Sequence, residues 1–85
     1  MENKWCLLRA SDGQRGYNGK KKIYEITISE PVTGGVLVRC EWGMAEKPQR
    51  ASSTQYFYST QAARAFAMNK VWLKRDKGYE LAYAV

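Results

Sequence analysis

Residues 22–43 read KIYEITISEPVTGGVLVRCEWG and predict two strands joined by a tight hairpin. Apolar and polar residues alternate over 22–29 and again over 36–42, which is the period of a strand with one buried face. Gly34 and Gly35 lie between the two runs and supply the backbone freedom that a hairpin turn requires. Because a hairpin pairs its strands in opposite directions, this stretch predicts an antiparallel sheet.

Shorter patterns on both sides of the hairpin predict further strands and the loops between them. Residues 5–9 form an apolar run suited to a strand, and the glycine-rich segment 11–19 contains Asp-Gly and Asn-Gly pairs that are typical of turns. After the hairpin, residues 43–48 predict a loop. Residues 51–58 are polar at first and aromatic at the end, which indicates an outer strand.

One helix is predicted after the fourth strand, from an N-cap at Thr60 to about Lys77, with Gly78 as its stop. The helical period gathers six residues on the face expected to dock on the sheet: Ala62, Ala65, Phe66, Asn69, Trp72 and Leu73. Five cations are expected to face solvent: Arg64, Lys70, Lys74, Arg75 and Lys77. Alternation over 79–85 then predicts a final strand.

The resulting order, β-β-β-β-α-β, predicts an α+β fold class. We expect a mainly antiparallel sheet of about five strands with one flanking helix. A chain of 85 residues has length for one hydrophobic core, so residues 1–85 are expected to form a single domain.

The composition argues against catalysis. The chain contains no histidine, which excludes histidine-activated nucleophiles and histidine metal ligands. Cys6 and Cys40 lack the spacing of a redox pair and are too few for a structural zinc site, so we expect buried, reduced thiols in a cytoplasmic protein. No stretch has the length of a signal peptide or a membrane span. We therefore expect no enzyme activity, no cofactor, no metal and no membrane partner.

The charge favours a polyanionic partner, because 14 Lys and Arg outnumber 8 Asp and Glu and give a net charge of +6. Trp42 followed by Gly43 offers a flat ring for stacking on a base or sugar, beside a backbone that a phosphate can approach. The alternative is that Trp42 only caps the core. Cations that can form one phosphate-facing patch with this step are Arg15, Lys20, Lys21, Lys22, Lys47 and Arg50.

The order of several motifs resembles the WGR domain, the Trp-Gly-Arg module of the poly(ADP-ribose) polymerases and of bacterial proteins similar to the molybdate-metabolism regulator. The shared features extend over about residues 5 to 80. They are the basic-aromatic start of the second strand at Lys22, the hairpin, the Trp42-Gly43 step, the loop ending in Pro48-Gln49, the alanine-rich helix and Gly78-Tyr79.

This resemblance implies a sheet with one flanking helix that binds DNA, in the polymerases near a strand break. It assigns the stacking role to Trp42, the close approach of a phosphate to Gly43, and phosphate contacts to Lys22 with Lys21 beside it. Gln49 would make a supporting contact.

The third signature residue differs, because Met44 stands where the family has arginine and so removes a charged fork of five donors. Arg39 or Arg50 could replace part of that charge. We expect a stand-alone, monomeric, non-enzymatic module of bacterial or viral origin that binds DNA, with RNA still open. The alternative is a protein-interaction module that binds an acidic partner around an exposed Met44.

Overall fold

The computed structural model describes residues 3–10 and 21–85. Its elements in chain order are β1 (Lys4–Ala10), β2 (Lys21–Ser29), β3 (Val36–Met44), β4 (Arg50–Phe57), α1 (Thr60–Asp76) and β5 (Glu80–Ala84). This confirms the predicted order and the α+β class. The predicted loop over 11–19 and Lys20 lie outside the described residues.

All five strands form one antiparallel sheet, in the order β4-β3-β2-β1-β5. The predicted hairpin is β2–β3, in which Lys22 lies opposite Met44 and Ser29 opposite Leu37. Gly34 has a φ of 99°, in the left-handed region that glycine adopts without steric cost. Helix α1 connects β4, at one edge of the sheet, to β5, at the other edge, and therefore crosses one face of the sheet.

The core lies between α1 and this face, which we call the helix-side face. The buried sheet residues of the core are Trp5, Leu7, Tyr24, Ile26, Ile28, Val36, Val38 and Cys40. Alternation along β1 turns Cys6 toward the second face, which we call the open face because none of the described helices or strands covers it. Both cysteines are free and buried, as predicted.

The ends of α1 depart by one residue from the prediction. Ser59 rather than Thr60 is the N-cap, because its Oγ accepts a hydrogen bond of 3.1 Å from the Ala62 N–H. The Thr60 hydroxyl instead donates to Glu30 at 3.4 Å. The helix ends at Asp76, and Gly78 follows with a φ of 98°, which confirms its predicted role as the stop.

The predicted docking face of α1 was wrong in all but one residue. Ala63, Ala67 and Val71 are buried against the sheet, and of the six predicted residues only Phe66 packs partly on the core. Trp72 is 60% exposed and Leu73 is 46% exposed. Small side chains at i, i+4 spacing let the helix lie close to the sheet, whereas an indole at this contact would hold it away.

Two further boundaries differ from the prediction. Strand β3 continues through Gly43 and Met44, so the predicted loop over 43–48 is a turn over 45–49. This extension keeps Trp42 and Gly43 inside the sheet, between β2 and β4. Among the described residues, no helix has both the length and the apolar character needed to cross a membrane.

Candidate nucleic-acid interface

Trp42 lies on the helix-side face near the end of β3 and is 37% exposed. Its neighbour on β2 is Tyr24, whose ring stacks beside the indole with centroids 5.9 Å apart and planes 21° from parallel. Its neighbour on β4 is Ala51, a small residue. The indole is therefore supported on one side by another ring and borders open space on the side of β4.

Tyr24 is the centre of an aromatic and cationic cluster. Tyr79 meets it edge-on at 6.3 Å, and the Lys74 ammonium lies 4.5 Å from the centre of the Tyr24 ring and 5.8 Å from that of Tyr79. Burial, and then a hydrogen bond with the Cys40 thiol, raises the pKa of Tyr24, so the phenol is neutral. The cluster holds Trp42 against a fixed support.

The side chains around this cluster line a depression of about 340 Å³, which we call the basic-aromatic groove. Its lining residues are Tyr24, Trp42, Ser53, Lys70, Lys74 and Tyr79. Burial, followed by the charges of Lys77 and Lys70, holds the pKa of Lys74 below its usual range. Because these ammonium groups repel one another, an anion bound among them would be stabilised.

A second depression, of about 510 Å³, lies on the β4 side of Trp42, and we call it the loop depression. It is lined by Trp42, Gly43, Met44, Lys47, Gln49, Arg50 and Ala51. The structure thus brings four predicted site residues together with Trp42. None of the described residues that line either depression is acidic. Trp42 borders both depressions, with a lysine in each.

Gly43 has a structural explanation in the packing of Arg50. The two residues are paired across β3 and β4, and the Arg50 side chain passes over Gly43 to reach Glu25 on β2, with 3.3 Å between Nη1 and Oε1. A Cβ on Gly43 would lie 3.1 Å from the Arg50 Cδ. Arg50 therefore occupies the space over Gly43 that was predicted to admit a phosphate, on the open face.

The remaining predicted cations separate into two groups. Lys22 is exposed at the end of the helix-side face, two residues before Tyr24 and opposite Met44. Lys21 is also exposed, but alternation turns it toward the open face. Arg39 is on the open face and forms an ion pair of 3.4 Å with Glu41, so it does not replace the charge missing at Met44.

Sequence reasoning missed the helix contribution to this site. Lys70 and Lys74 were expected to face solvent, yet both are half-buried at the groove. The signal was present in the spacing, because Ala63, Ala67 and Val71 form an i, i+4 stripe that Lys70 and Lys74 flank. Trp72 and Leu73 obscured this stripe because larger apolar side chains dominate a hydrophobicity average.

No known protein family, curated protein or solved structure significantly matches this chain. The resemblance to the WGR domain therefore stays a prediction. The described residues contain no cluster of three or more side chains that could hold a metal ion. The groups that the two depressions offer to a ligand include aromatic rings and lysine ammonium groups.

Proposed function

We propose that this domain binds nucleic acid, and DNA in particular, with Trp42 as the stacking platform. The observation that carries the proposal is the position of Trp42. Its indole is partly exposed, rests on Tyr24 and lies between two depressions that contain lysines and no acidic lining residue. Stacking and phosphate attraction are thereby available within the length of one nucleotide.

The physical chemistry of the groove suits an anionic ligand with a flat ring. Stacking of a base on an aromatic side chain contributes about 1–3 kcal/mol, and the Tyr24 support means that little side-chain freedom is lost when a base binds. Lys70 and Lys74 from the helix, Lys47 from the turn and Lys22 from the strand end are the phosphate contacts. Met44 offers an apolar contact to a sugar or base beside Trp42.

The preferred ligand is an end, a nick or a single strand. Bases inside a duplex already stack on their neighbours, and a protein ring reaches a base face only where this stack is interrupted. This preference agrees with what the resemblance to the WGR domain implies. The loss of the signature arginine at Met44 is balanced here by Lys70 and Lys74, which approach Trp42 from the helix.

The test is a titration of fluorescently labelled blunt duplex, nicked duplex and single-stranded DNA, followed by anisotropy at low salt. A blunt duplex offers an open base face only at its two ends, so we expect the nicked and single-stranded ligands, which offer additional open base faces, to bind more tightly. Trp42→Ala should weaken their binding roughly 5- to 150-fold, which corresponds to the loss of one stacking contact. Trp72→Ala is the matched control, because it removes an exposed indole from the outer side of α1.

Equal effects of Trp42→Ala and Trp72→Ala would contradict the stacking role. Absence of binding to all three ligands at low salt would overturn the proposal. The second candidate, an acidic protein partner, would then lead, because Met44 and Ala51 give the loop depression an apolar lining beside Lys47. Titration with an acidic peptide that contains apolar residues is the corresponding measurement.

A further inference from the structure

Strand β4 presents an unpaired edge of unusual regularity. It lies at one end of the sheet order, and among the described residues only β3 pairs with it. This pairing runs without a register shift from Val36 opposite Phe57 to Gly43 opposite Arg50. Residues 51–56 are all exposed. The outer side of β4 therefore carries backbone N–H and C=O groups that pair with no other strand in the described part of the chain.

Apart from the charge of Arg50 at its first position, β4 lacks the usual devices that prevent edge pairing. Natural edge strands are short, bulged or covered, or they carry lysine or proline. Residues 51–57 contain no charged residue and no proline. The opposite edge strand differs, because β5 has only five residues and pairs with β1 through a register shift between Cys6 and Leu7. Only β4 has the form of an edge that accepts another strand.

We propose that β4 pairs antiparallel with β4 of a second copy of this chain, across a twofold axis perpendicular to the sheet. This operation joins the two sheets into one of ten strands and keeps both helices on the same face. The register that centres Ser53 on its own copy also sets Ser52 opposite Thr54, Ala51 opposite Gln55 and Arg50 opposite Tyr56. The sequence predicts a monomer, and this proposal replaces that expectation.

The side chains of β4 favour a second copy over an unrelated partner strand. In this register no two like charges face each other, and the central pairs join small hydroxyl side chains, a favourable cross-strand combination. Arg50 is already paired with Glu25 and comes to lie beside Tyr56, whose side chain is 75% exposed. The strand is therefore complementary to itself on both faces of the sheet.

The proposal does not rest on the proposed function, because the pairing uses the backbone groups at the outer edge of β4, although Arg50 and Ala51 of this strand also line the loop depression. The experiment is sedimentation of the full chain without nucleic acid, from micromolar to millimolar concentration. We expect the mass to rise to that of a dimer. We also expect association to strengthen with added salt, because two copies of charge +6 repel each other. Nucleic-acid binding should respond to salt in the opposite direction.

Two double variants test the edge and its register. Ser52→Lys with Thr54→Lys sets lysine against lysine across the axis and should weaken association at least tenfold. Ser52→Lys with Thr54→Glu sets opposite charges together and should preserve the dimer. In the second variant each new charge also faces its opposite on β3, since Ser52 lies beside Glu41 and Thr54 beside Arg39.

Circular dichroism verifies that both variants fold. A wild-type chain that stays monomeric at millimolar concentration would overturn the proposal. So would a dimer that the two-lysine variant leaves intact. A dimer that both variants abolish would overturn the register centred on Ser53.

Discussion

Because Gly43 has no side chain, the side chain of Arg50 can pass over strand β3 at this position. The Arg50 guanidinium starts on β4 and meets Glu25 two strands away, and Lys4 approaches the same carboxylate at 3.7 Å from β1. The side chain must pass over β3, and it does so at Gly43. Charge thus links Arg50 on β4, Glu25 on β2 and Lys4 on β1 across the open face, and Gly43 on β3 leaves the space for this link.

Gly43→Ala should therefore destabilise the domain although alanine suits a strand better than glycine. The new Cβ would lie 2.9 Å from the Gln49 carbonyl oxygen and 3.1 Å from the Arg50 Cδ, so the turn and the side chain must both move. We expect the free energy of unfolding to fall by about 1–2 kcal/mol, measured by urea denaturation.

The cost should be smaller in a chain that already carries Arg50→Ala, because one of the two close contacts is then gone. Ser52→Ala, at an exposed position on the neighbouring strand β4, is the control and should change stability by less than about 0.5 kcal/mol. An unchanged unfolding midpoint for Gly43→Ala would contradict the packing role.

At the scale of the element, the largest apolar side chains of α1 are not the ones that are buried against the sheet. Val71 is 3% exposed and faces the sheet, whereas Leu73 is 46% exposed on the outer side of the same turn. The Arg75 guanidinium lies 5.5 Å from the centre of the Trp72 ring and partly shields this outer side. Burial, not side-chain size, should determine the contribution of each residue to stability.

We expect Val71→Ala to lower the free energy of unfolding by about 1–3 kcal/mol, because it leaves a cavity between helix and sheet. Leu73→Ala, which removes the larger side chain, should cost less than about 1 kcal/mol. Urea titrations of both variants at one temperature give the comparison. A larger loss of stability for Leu73→Ala than for Val71→Ala would indicate that the side of α1 with Trp72 and Leu73 docks on the sheet.

The strands were predictable because successive side chains of a strand face opposite sides of the sheet, so alternation of apolar and polar residues indicates directly which side is buried. Residues 22–29 and 36–42 each have one core face, and the structure pairs them as expected. The buried face of the helix was not predictable in this way, because apolar residues occur on more than one face of α1. Which face is buried depends on how closely its side chains let the helix pack against the sheet. The candidate site shows the same contrast between residues on strands and residues on the helix. Trp42 was proposed as a site residue from its place at a strand end, whereas Lys74 could be added only once the orientation of the helix was known.

At the scale of the whole molecule, the cations are divided between the two faces of the sheet. Arg39 and Arg50 on the open face are engaged with Glu41 and Glu25. On the helix-side face, Lys70 and Lys74 lie over aromatic rings, at 5.4 Å from Phe66 and 4.5 Å from Tyr24. The two faces therefore differ: the open-face arginines Arg39 and Arg50 are paired with carboxylates, whereas Lys70 and Lys74 on the helix-side face lie over rings and carry charge that the proposed function uses.

Nucleic-acid affinity should accordingly fall steeply with salt. Four phosphate contacts, from Lys22, Lys47, Lys70 and Lys74, predict a logarithmic slope of about −3.6 on duplex DNA, or roughly a hundredfold loss over a fourfold rise in salt. Anisotropy titrations at several salt concentrations measure this slope.

Lys70→Gln should reduce the slope by about 0.9, because it removes one phosphate contact. Arg39→Gln, on the open face, should leave the slope unchanged and is the matched control. A slope that responds equally to both substitutions would mean that the ligand does not distinguish the two faces.

The two buried cysteines can be used to measure local opening of the domain on each face of the sheet. Cys40 points under α1, while Cys6 points the other way and is enclosed by side chains that include Tyr83 and Glu25. They lie two strands apart on opposite sides of the sheet, too far for a disulfide. An alkylating reagent reaches Cys40 when the helix lifts and Cys6 when the other side loosens. Labelling rates of the two thiols therefore measure separately how often the helix separates from the sheet and how often the side chains around Cys6 on the open face open.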